Sequence, residues 1–326
     1  MPVTIKDIAR EVGVSVSTVS RVLNGKSTQN AELVTLVKAK AKELNYQVNT
    51  AAAGLRTNRT KLIGIVVPQI SNDFFSEILS GVEEAAEAEG YNLLICQSNE
   101  SSTKELKLIK SLVACNVEGI LISTCIENIK SQEAAETAIM AGKKVVYFDR
   151  VPDESIAPYV TVQDYEGAYK ITKHLIEQGR KSFLYHGLHK DLTNDKARSK
   201  GVKDAVNDSG IDKLEFLYTQ NQDDLLARLK SMEFEALVCY NDDIAARDIS
   251  SMQRAGINIP RQIAVTGFDN RSMCELIFPT LTTVNHSTAI LGKKAVEILL
   301  AMLDSDDPVE NIVIPAEIIV RESSAS

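Results

Sequence analysis

Charged and amide side chains follow several apolar segments of the chain, at points where the strands of a buried parallel sheet would end. Asp149 follows KVVYF, Asn241 follows ALVCY and Asp269 follows AVTGF. Arg198 lies in a helical stretch beyond SFLYHG. Carboxylates, a guanidinium and an amide together can satisfy the neighbouring hydroxyl groups of a sugar. These residues therefore predict a binding site for a sugar or a sugar derivative.

Two aromatic residues after the first apolar segment, LIGIVVP, would give such a ligand a stacking surface. An Asp or Asn at the end of a strand is often a helix cap instead, so that alternative stays open for each single residue. Arg150, Lys196 and His189 could contact a charged group, which leaves a sugar phosphate or an acid sugar open. The predicted ligand-binding residues are Phe74, Phe75, Asp149, Asn194, Arg198, Asn241 and Asp269, with Asp73 and Asp242 as weaker candidates.

A second set of candidate residues lies near the N-terminus, on a helix predicted over residues 16–24. Arg21 can donate a pair of hydrogen bonds to guanine, Ser17 can bond a base edge and Val16 can contact a thymine methyl group. These side chains, together with Ser20, are expected to face away from the apolar stripe of the helix. The predicted phosphate contacts in this region are Thr4, Thr18 and Ser20. The pattern is typical of a helix that enters the major groove.

Three short helices are predicted to position these side chains. The spacing Thr4-x-x-Asp7 resembles a capping box, and it precedes apolar residues at helical spacing. Gly13 ends this first helix, and Ser15 is a natural N-cap for the second. A third amphipathic helix is predicted from about residue 31 to residue 45. This order predicts an all-α helix-turn-helix head, with a plain three-helix bundle as the alternative.

Charge is divided unevenly along the 326 residues, whose formal net charge is −8. Residues 1–61 hold ten Lys or Arg against four Asp or Glu, whereas the remaining residues hold 26 against 40. A small basic segment joined to a large acidic one fits a module that contacts phosphate, attached to a body that stays off nucleic acid. Double-stranded DNA is therefore the expected macromolecular partner of the head.

From residue 62 onward, apolar segments alternate with amphipathic helical stretches in two successive series. Continuous apolar strands separated by helices are typical of parallel sheets that are buried on both faces. The two series predict an α/β core of two parallel-sheet lobes. Sheets of this kind bind small molecules at the carboxyl ends of their strands, so the predicted site lies in a cleft between the lobes.

The segments TIKDIAREV and GVSVSTVSRVLNG resemble the opening of the LacI/GalR family of bacterial transcription regulators. The resemblance continues through LNYQVNTAAAGLRTNRTKLIGIVVP, NDFFSEILSGVEEAAEAEGY, YFDR, NDDIAARD, IAVTGFDN and FPTLTTV, and so covers essentially the whole chain. It implies a helix-turn-helix head, a core like a periplasmic sugar-binding protein, and a homodimer that binds a pseudo-palindromic operator under the control of a small effector, most simply as a repressor.

The resemblance also implies a hinge helix between head and core. Leu55 aligns with the family's apolar wedge, which is inserted between base steps of the minor groove, and Arg56 and Arg59 would lie near phosphate. A helix this short is marginal by itself, so it would form only on DNA. Val48, Ala53 and Gly54 depart from the family pattern and weaken the expected helix, and a plain tether is the alternative.

The domain boundaries that follow place the DNA-binding head at residues 1–47, the hinge at 48–61 and the effector-binding and dimerisation core at 62–326. Within the core, the N-lobe is expected over about 62–161 plus 286–317, and the C-lobe over about 162–285 plus 318–326. The chain ends at VRESSAS without a heptad extension, so the expectation is a dimer without a C-terminal tetramerisation coil.

Other classes of protein are disfavoured by what the sequence lacks. It contains no G-x-G-x-x-G, P-loop, G-x-S-x-G or H-E-x-x-H motif, so neither an enzyme nor a cofactor is expected. No secretory signal or membrane span is visible, which favours a cytoplasmic protein over a secreted solute-binding protein. Scattered cysteines suggest reduced thiols, and no metal site is expected.

A nucleobase effector is disfavoured because Leu192 and Asn194 stand where the purine-responsive branch makes its contacts.

Overall fold

The computed structural model describes residues 3–23, 30–46, 60–126, 131–231 and 234–325. The chain divides into two compact units, Met1–Thr60 and Lys61–Ser326. The hinge residues Leu55, Arg56 and Arg59, together with the departures at 48, 53 and 54, lie outside the described residues.

The head consists of three helices, α1 (Ile5–Val12), α2 (Val16–Leu23) and α3 (Ala31–Glu43). At the start of α1 the Asp7 carboxylate accepts a hydrogen bond from the Thr4 backbone N–H at 2.9 Å, as the capping-box spacing predicts. Gly13 ends α1 with φ of 72°, a left-handed conformation that favours glycine. The three helices bury a small apolar cluster made of Ile8, Ala9, Val19, Val22, Val37 and Ala41.

The first lobe of the core is built on a six-stranded parallel sheet. Its strands are β1 (Leu62–Val67), β2 (Asn92–Gln97), β3 (Gly119–Ile122), β4 (Lys144–Phe148), β5 (Tyr159–Val162) and β11 (Ile312–Ile314), in the order β11-β5-β4-β3-β1-β2. Its helices are α4 (Asp73–Ala88), α5 (Ser102–Ala114), α6 (Ser131–Met140) and α11 (Thr288–Asp304). A Cβ at Gly292 would lie 2.3 Å from the carbonyl oxygen of Ile78, so glycine lets α11 approach α4 closely.

The second lobe is built on a four-stranded parallel sheet. Its strands are β6 (Ser182–Gly187), β7 (Lys213–Tyr218), β8 (Ala236–Cys239) and β9 (Ala264–Thr266), in the order β7-β6-β8-β9. Its helices are α7 (Asp164–Glu177), α8 (Thr193–Asn207), α9 (Gln222–Ser231) and α10 (Asp242–Arg254), followed by a 3-10 helix (Ser272–Glu275). Strands β6, β8 and β9 are buried along their whole length because helices cover both faces.

The chain passes between the lobes at three places. It leaves the first lobe after β5, returns before α11, and crosses again after β11. A short antiparallel pair, β10 (Thr283–Asn285) with β12 (Glu317–Ile319), lies beside two of these crossings. The predicted fold class, an α-helical head with an α/β core of two parallel-sheet lobes, is confirmed. Among the residues described, no helix combines the length and the apolar character that a membrane crossing needs.

Candidate functional site

Helix α2 exposes most of the side chains predicted to contact DNA. Ser17 and Arg21 are exposed, and Val16 retains 40% of its surface although it is apolar. The Ser15 hydroxyl accepts a hydrogen bond from the Thr18 backbone N–H at 3.1 Å, which caps the start of the helix. The first turn of α2 therefore presents a mixed apolar and polar surface, of the kind that reads base edges.

Ser20 does not face outward as predicted. Only 9% of its surface is exposed, because it follows the fully buried Val19 and lies three residues before the half-buried Leu23, on the side of α2 that packs against the other helices. The prediction that Ser20 faces outward is therefore wrong for the head as folded. Thr4 is exposed, and its hydroxyl donates to the Asp7 carboxylate at 2.7 Å.

A cavity of about 300 Å³ lies between the two lobes of the core, which we call the interlobe cavity. All seven predicted ligand-binding residues line it, although they come from helix α4, from the ends of strands and from the starts of helices in both lobes. Its lining comprises Gln69, Asn72, Phe74, Phe75, Glu100, Ile126, Asp149, Arg150, Leu188, Asn194, Arg198, Tyr240, Asn241, Asp243, Ile244, Arg247 and Asp269.

Arg198 forms the most densely bonded part of the cavity. Its Nε donates to Asp164 at 2.7 Å, its Nη1 donates to the Tyr240 carbonyl at 2.7 Å, and its Nη2 lies 3.5 Å from Asp269. Its guanidinium stacks 3.7 Å from the ring centroid of Phe268. Burial opposes the charged form, but the carboxylates of Asp164 and Asp269 hold the pKa of Arg198 above its usual value. The cation is therefore fixed in one orientation.

Two carboxylates of the cavity are only loosely bonded. Asp149 accepts from the Ser123 hydroxyl at 3.3 Å, and burial raises the pKa of its carboxyl to about 6. Asp269 lies 3.2 Å from the Nε2 of His286 and makes the long contact to Arg198 described above. Both residues have positive φ, 58° and 108° respectively, so the backbone itself turns them at the strand ends. Their oxygens retain capacity to accept hydrogen bonds from ligand hydroxyl groups.

The apolar part of the cavity comes from the start of α4. Phe74 and Phe75 meet edge to face with ring centroids 5.2 Å apart, and both are buried. Asn72, the residue before this helix, caps it by accepting a hydrogen bond from the Phe74 N–H at 2.9 Å. The cap fixes the helix start and thereby the position of both rings beside the polar groups.

The alternative role of helix cap, left open by the sequence, applies in part to the two asparagines of the cavity. The Asn241 side chain accepts from the Ile244 N–H at 3.0 Å and caps α10. Asn194 is buried, and its side-chain oxygen accepts from the Asp195 N–H at 3.1 Å. Each oxygen is thus used within the protein, while the amide N–H groups are the donors left for a ligand. Capping and ligand binding are compatible roles at these positions.

Several cavity residues were outside the main prediction. Arg150 donates to Glu100 at 2.8 Å, and Glu100 also accepts from the Ile126 N–H at 2.8 Å. Glu100 follows β2 at a strand end, the same signal that identified the other candidates, but its position depends on left-handed backbone at Asn99 and Glu100. Arg247 lies one and a half turns into α10, away from the end of any strand, so strand-end position could not identify it.

The remaining candidates lie outside the cavity. Lys196 pairs with Asp153 at 3.0 Å, and the half-buried His189 lies 3.9 Å from Asp191. Asp242 is buried and accepts from the Thr283 hydroxyl at 2.6 Å, and burial raises its pKa to about 7. These three positions therefore have structural partners of their own.

Arg271 links the two lobes beside the cavity. From the second lobe, its Nη1 donates to Asn72 at 3.0 Å and its Nη2 lies 3.0 Å from Asp73, the weaker candidate, on the first lobe. The same guanidinium pairs with Asp243 at 3.1 Å. The Arg271 side chain is buried although Asp73 is exposed. A contact of this kind depends on the distance between the lobes.

The histidines and cysteines do not assemble a metal site. His186 is buried against Asp248, with Nδ1 and Oδ2 2.7 Å apart, and it does not converge with His189. All five cysteines are free, three of them buried and Cys115 exposed. Within the described ranges, no group of three or more potential protein ligands could hold a metal ion.

Both units have counterparts among known proteins. Residues 4–49 match the model for bacterial regulatory proteins of the lacI family, and residues 172–324 match a periplasmic binding protein-like domain. The chain is 34% identical to the HTH-type transcriptional repressor PurR of Vibrio atlanticus, over 93% of each chain. It is 32% identical to the HTH-type transcriptional regulator RegA of Clostridium saccharobutylicum, over 99% of this chain and 100% of that one. These relatives are regulators and not enzymes.

Solved structures show the same fold. A lac repressor dimer bound to operator and the anti-inducer ONPF matches with a TM-score of 0.91 at 21% identity, covering 100% of both chains. A LacI family transcriptional regulator from Enterococcus faecium with bound ribose matches with a TM-score of 0.74 at 26% identity, covering 81% of this chain and 98% of that one.

Proposed function

The chain belongs to the LacI family of DNA-binding transcription regulators, and on that premise we propose that it is a ligand-controlled repressor. As a cytoplasmic homodimer it binds a pseudo-palindromic operator, and a sugar or sugar derivative in the interlobe cavity changes its affinity for this DNA. The observation that carries the proposal is the convergence of all seven predicted ligand-binding residues on one cavity between the lobes.

Operator recognition is assigned to the exposed first turns of α2. Val16, Ser17 and Arg21 read bases, and Thr4 and Thr18 contact phosphate, because these side chains are accessible or half-accessible at the N-terminal part of the head. Ser20 has no part in this proposal because it is buried. The hinge contributes Leu55 to the minor groove and Arg56 and Arg59 to phosphate, an assignment that rests on sequence alone.

The chemistry of the cavity supports a sugar as the effector. Asp149 and Asp269 offer loosely bonded carboxylate oxygens, and the amides of Asn194 and Asn241 offer N–H donors. The two phenylalanine rings provide an apolar face for the carbon skeleton. A sugar presents both kinds of surface, hydroxyl groups and apolar C–H groups, and the related regulator from Enterococcus faecium holds ribose.

Self-association is supported by apolar side chains that the core leaves in solvent. Leu276 and Phe278 lie two residues apart after the 3-10 helix and are 83% and 76% exposed. Exposed apolar patches of this kind commonly mark protein–protein contacts. In a two-fold dimer the same patch would occur on both subunits, as the pseudo-palindromic operator requires.

The site between the lobes explains how a ligand would act on DNA. A ligand that contacts both lobes favours one arrangement of the lobes over others, to the extent that its affinity for the two arrangements differs. In a dimer this difference changes the spacing of the two hinges. Allosteric couplings are typically about 1–3 kcal/mol, so we expect the ligand to change operator affinity by about 5–150-fold.

The test combines operator selection with a binding-site variant. Operators selected from a random duplex library with full-length protein are titrated by fluorescence anisotropy, with and without sugars identified by thermal-shift screening. Asp269→Asn should abolish the ligand response and leave operator binding intact, whereas the exposed Asp191→Asn should retain both. Equal, weak and salt-sensitive binding to every duplex would contradict the regulator mechanism, and wild-type ligand affinity in Asp269→Asn by calorimetry would reject the site.

A further inference from the structure

The arginines that line the interlobe cavity differ in whether they form ion pairs with carboxylates. Arg150 is paired with Glu100, and Arg198 is paired with Asp164 and Asp269. These two guanidinium groups are therefore neutralised by carboxylates of the protein itself. Their charge is already satisfied before any ligand enters.

Arg247 differs from the other two arginines. Its Nε donates to the Asp243 backbone carbonyl at 3.3 Å and its Nη1 donates to the Gln220 side-chain oxygen at 3.1 Å, both neutral acceptors. The Asp243 carboxylate is used by Arg271 instead. Within the described part of the chain, Arg247 is the cavity arginine that has no carboxylate partner.

The two neutral contacts nevertheless hold the Arg247 guanidinium in place. Two of its three nitrogens are anchored to acceptors on α10 and on the segment after β7, while the side chain as a whole remains exposed at the cavity. A planar guanidinium with fixed orientation and free N–H groups is well suited to carboxylate or phosphate oxygens. The position combines an unneutralised charge with access for a ligand.

We propose that the effector is a sugar carrying an anionic group, a carboxylate or a phosphate, and that Arg247 selects it over the neutral sugar. The inference rests on the proposed sugar-responsive function and specifies its ligand class. The hydroxyl groups of the ligand bind the carboxylates of Asp149 and Asp269 and the amide of Asn241. Its anionic group lies at the accessible side of the cavity, where it pairs with Arg247.

The geometry also explains why an anion is admitted beside acidic residues. Glu100, Asp243 and Asp269 each have an arginine partner, so most of the negative charge of the cavity is already compensated. Among the described lining residues, the anionic group would therefore meet the guanidinium of Arg247 rather than an uncompensated acidic surface. Charge-assisted hydrogen bonds of this kind correspond to about tenfold or more in affinity.

Calorimetry on the full-length protein with matched pairs of sugars tests the proposal. The pairs are galactose with galacturonate, glucose with glucuronate, and glucose with glucose 6-phosphate, so that the carboxylate and phosphate arms are separate. The wild-type protein should bind the anionic member of at least one pair about tenfold more tightly than its neutral partner. Arg247→Gln should reduce that ratio towards one, and Arg247→Lys, which keeps the charge but not the planar guanidinium, should retain only part of it.

Arg254→Gln is the matched control, since Arg254 is an exposed arginine on the same helix that bonds Ser250 and lies outside the cavity. It should keep the wild-type preference. Neutral sugars that bind as tightly as their anionic partners would overturn this inference but leave the proposed function standing. A preference that survives Arg247→Gln would overturn the role of Arg247. Absence of binding by every sugar, neutral or anionic, would contradict the proposed function itself.

Discussion

The exposed face of α2 and the interlobe cavity present their polar side chains in opposite ways. Ser17 and Arg21 on α2 are solvated, whereas Arg198 in the cavity is buried and bonded through all three guanidinium nitrogens. A solvated side chain contributes little to folding, so its replacement should affect binding alone. A buried, bonded side chain supports the fold and the site together. The two regions therefore predict different relations between stability and function.

The largest effect is expected from Arg198→Ala. Removing this guanidinium leaves the buried Asp164 carboxylate without its principal partner, and breaking a buried ion pair in this way costs about 3–5 kcal/mol of unfolding free energy. Urea unfolding of the full-length protein measures the loss, with the exposed Arg254→Ala as the control. Surface ion pairs contribute up to about 1 kcal/mol. A smaller loss of unfolding free energy than this would show that Arg198 does not stabilise the fold.

The next effect is expected from Arg21→Ala on α2. The variant should lose about 1–3 kcal/mol of specific operator binding per half-site contact, with an unchanged melting temperature. Lys38→Ala, an exposed cation on α3, should leave discrimination between operator and mutated operator unaltered. Unchanged discrimination by Arg21→Ala in a gel-shift series would remove Arg21 from base readout, and a large fall in melting temperature would break the contrast with the cavity.

Ligand binding should depend on pH because of Asp149. Burial raises the pKa of this carboxyl to about 6, above its ordinary value of 3.8, so the folded protein binds a proton more readily than the unfolded chain. The stabilisation linked to this proton is fully present below the ordinary pKa and is lost as pH rises through about 6. Only the ionised form offers both oxygens as acceptors, so sugar affinity should rise over the same interval.

Asp149→Asn provides the check on this pH dependence. Sugar affinity is measured by calorimetric titration between about pH 5 and pH 8, which brackets the raised pKa of Asp149. It should depend less on pH in the variant than in the wild-type protein. Asp191→Asn, at an exposed position, should follow the wild-type profile. Identical profiles for Asp149→Asn and the wild-type protein would assign the titration to another group, such as Asp242.

The smallest effect is expected from Asp73→Asn. Its carboxylate is 74% exposed, and Arg271 keeps its contacts to Asn72 and Asp243 in the variant. Exposed ion pairs contribute about 0–1 kcal/mol, so the unfolding free energy should change by no more than that. A larger loss in urea unfolding would mean that the link between the lobes depends on Asp73 rather than on the buried end of Arg271.

Periodicity and strand-end position predicted much of the fold and most of the cavity. Apolar periodicity and strand-end position can both be read from local sequence. The strand-end rule works for Asp149, Asn241 and Asp269 because the parallel strands of each sheet end at the edge that faces the cavity. Arg247 escaped prediction because its contribution depends on which side of α10 faces the other lobe. Ser20 was misplaced because a small hydroxyl can lie on a buried stripe, which polarity alone does not reveal.

The burial of Arg198 has a consequence for how regulators of this kind diverge. Any lineage that replaced this arginine to change ligand binding would lose about 3–5 kcal/mol of folding free energy in the same step. Arg247 is exposed, so an exchange there carries little risk for the fold, whereas Glu100 is the partner of the buried Arg150. A change of ligand preference is therefore expected to begin at the exposed Arg247, while the buried Arg198 is retained.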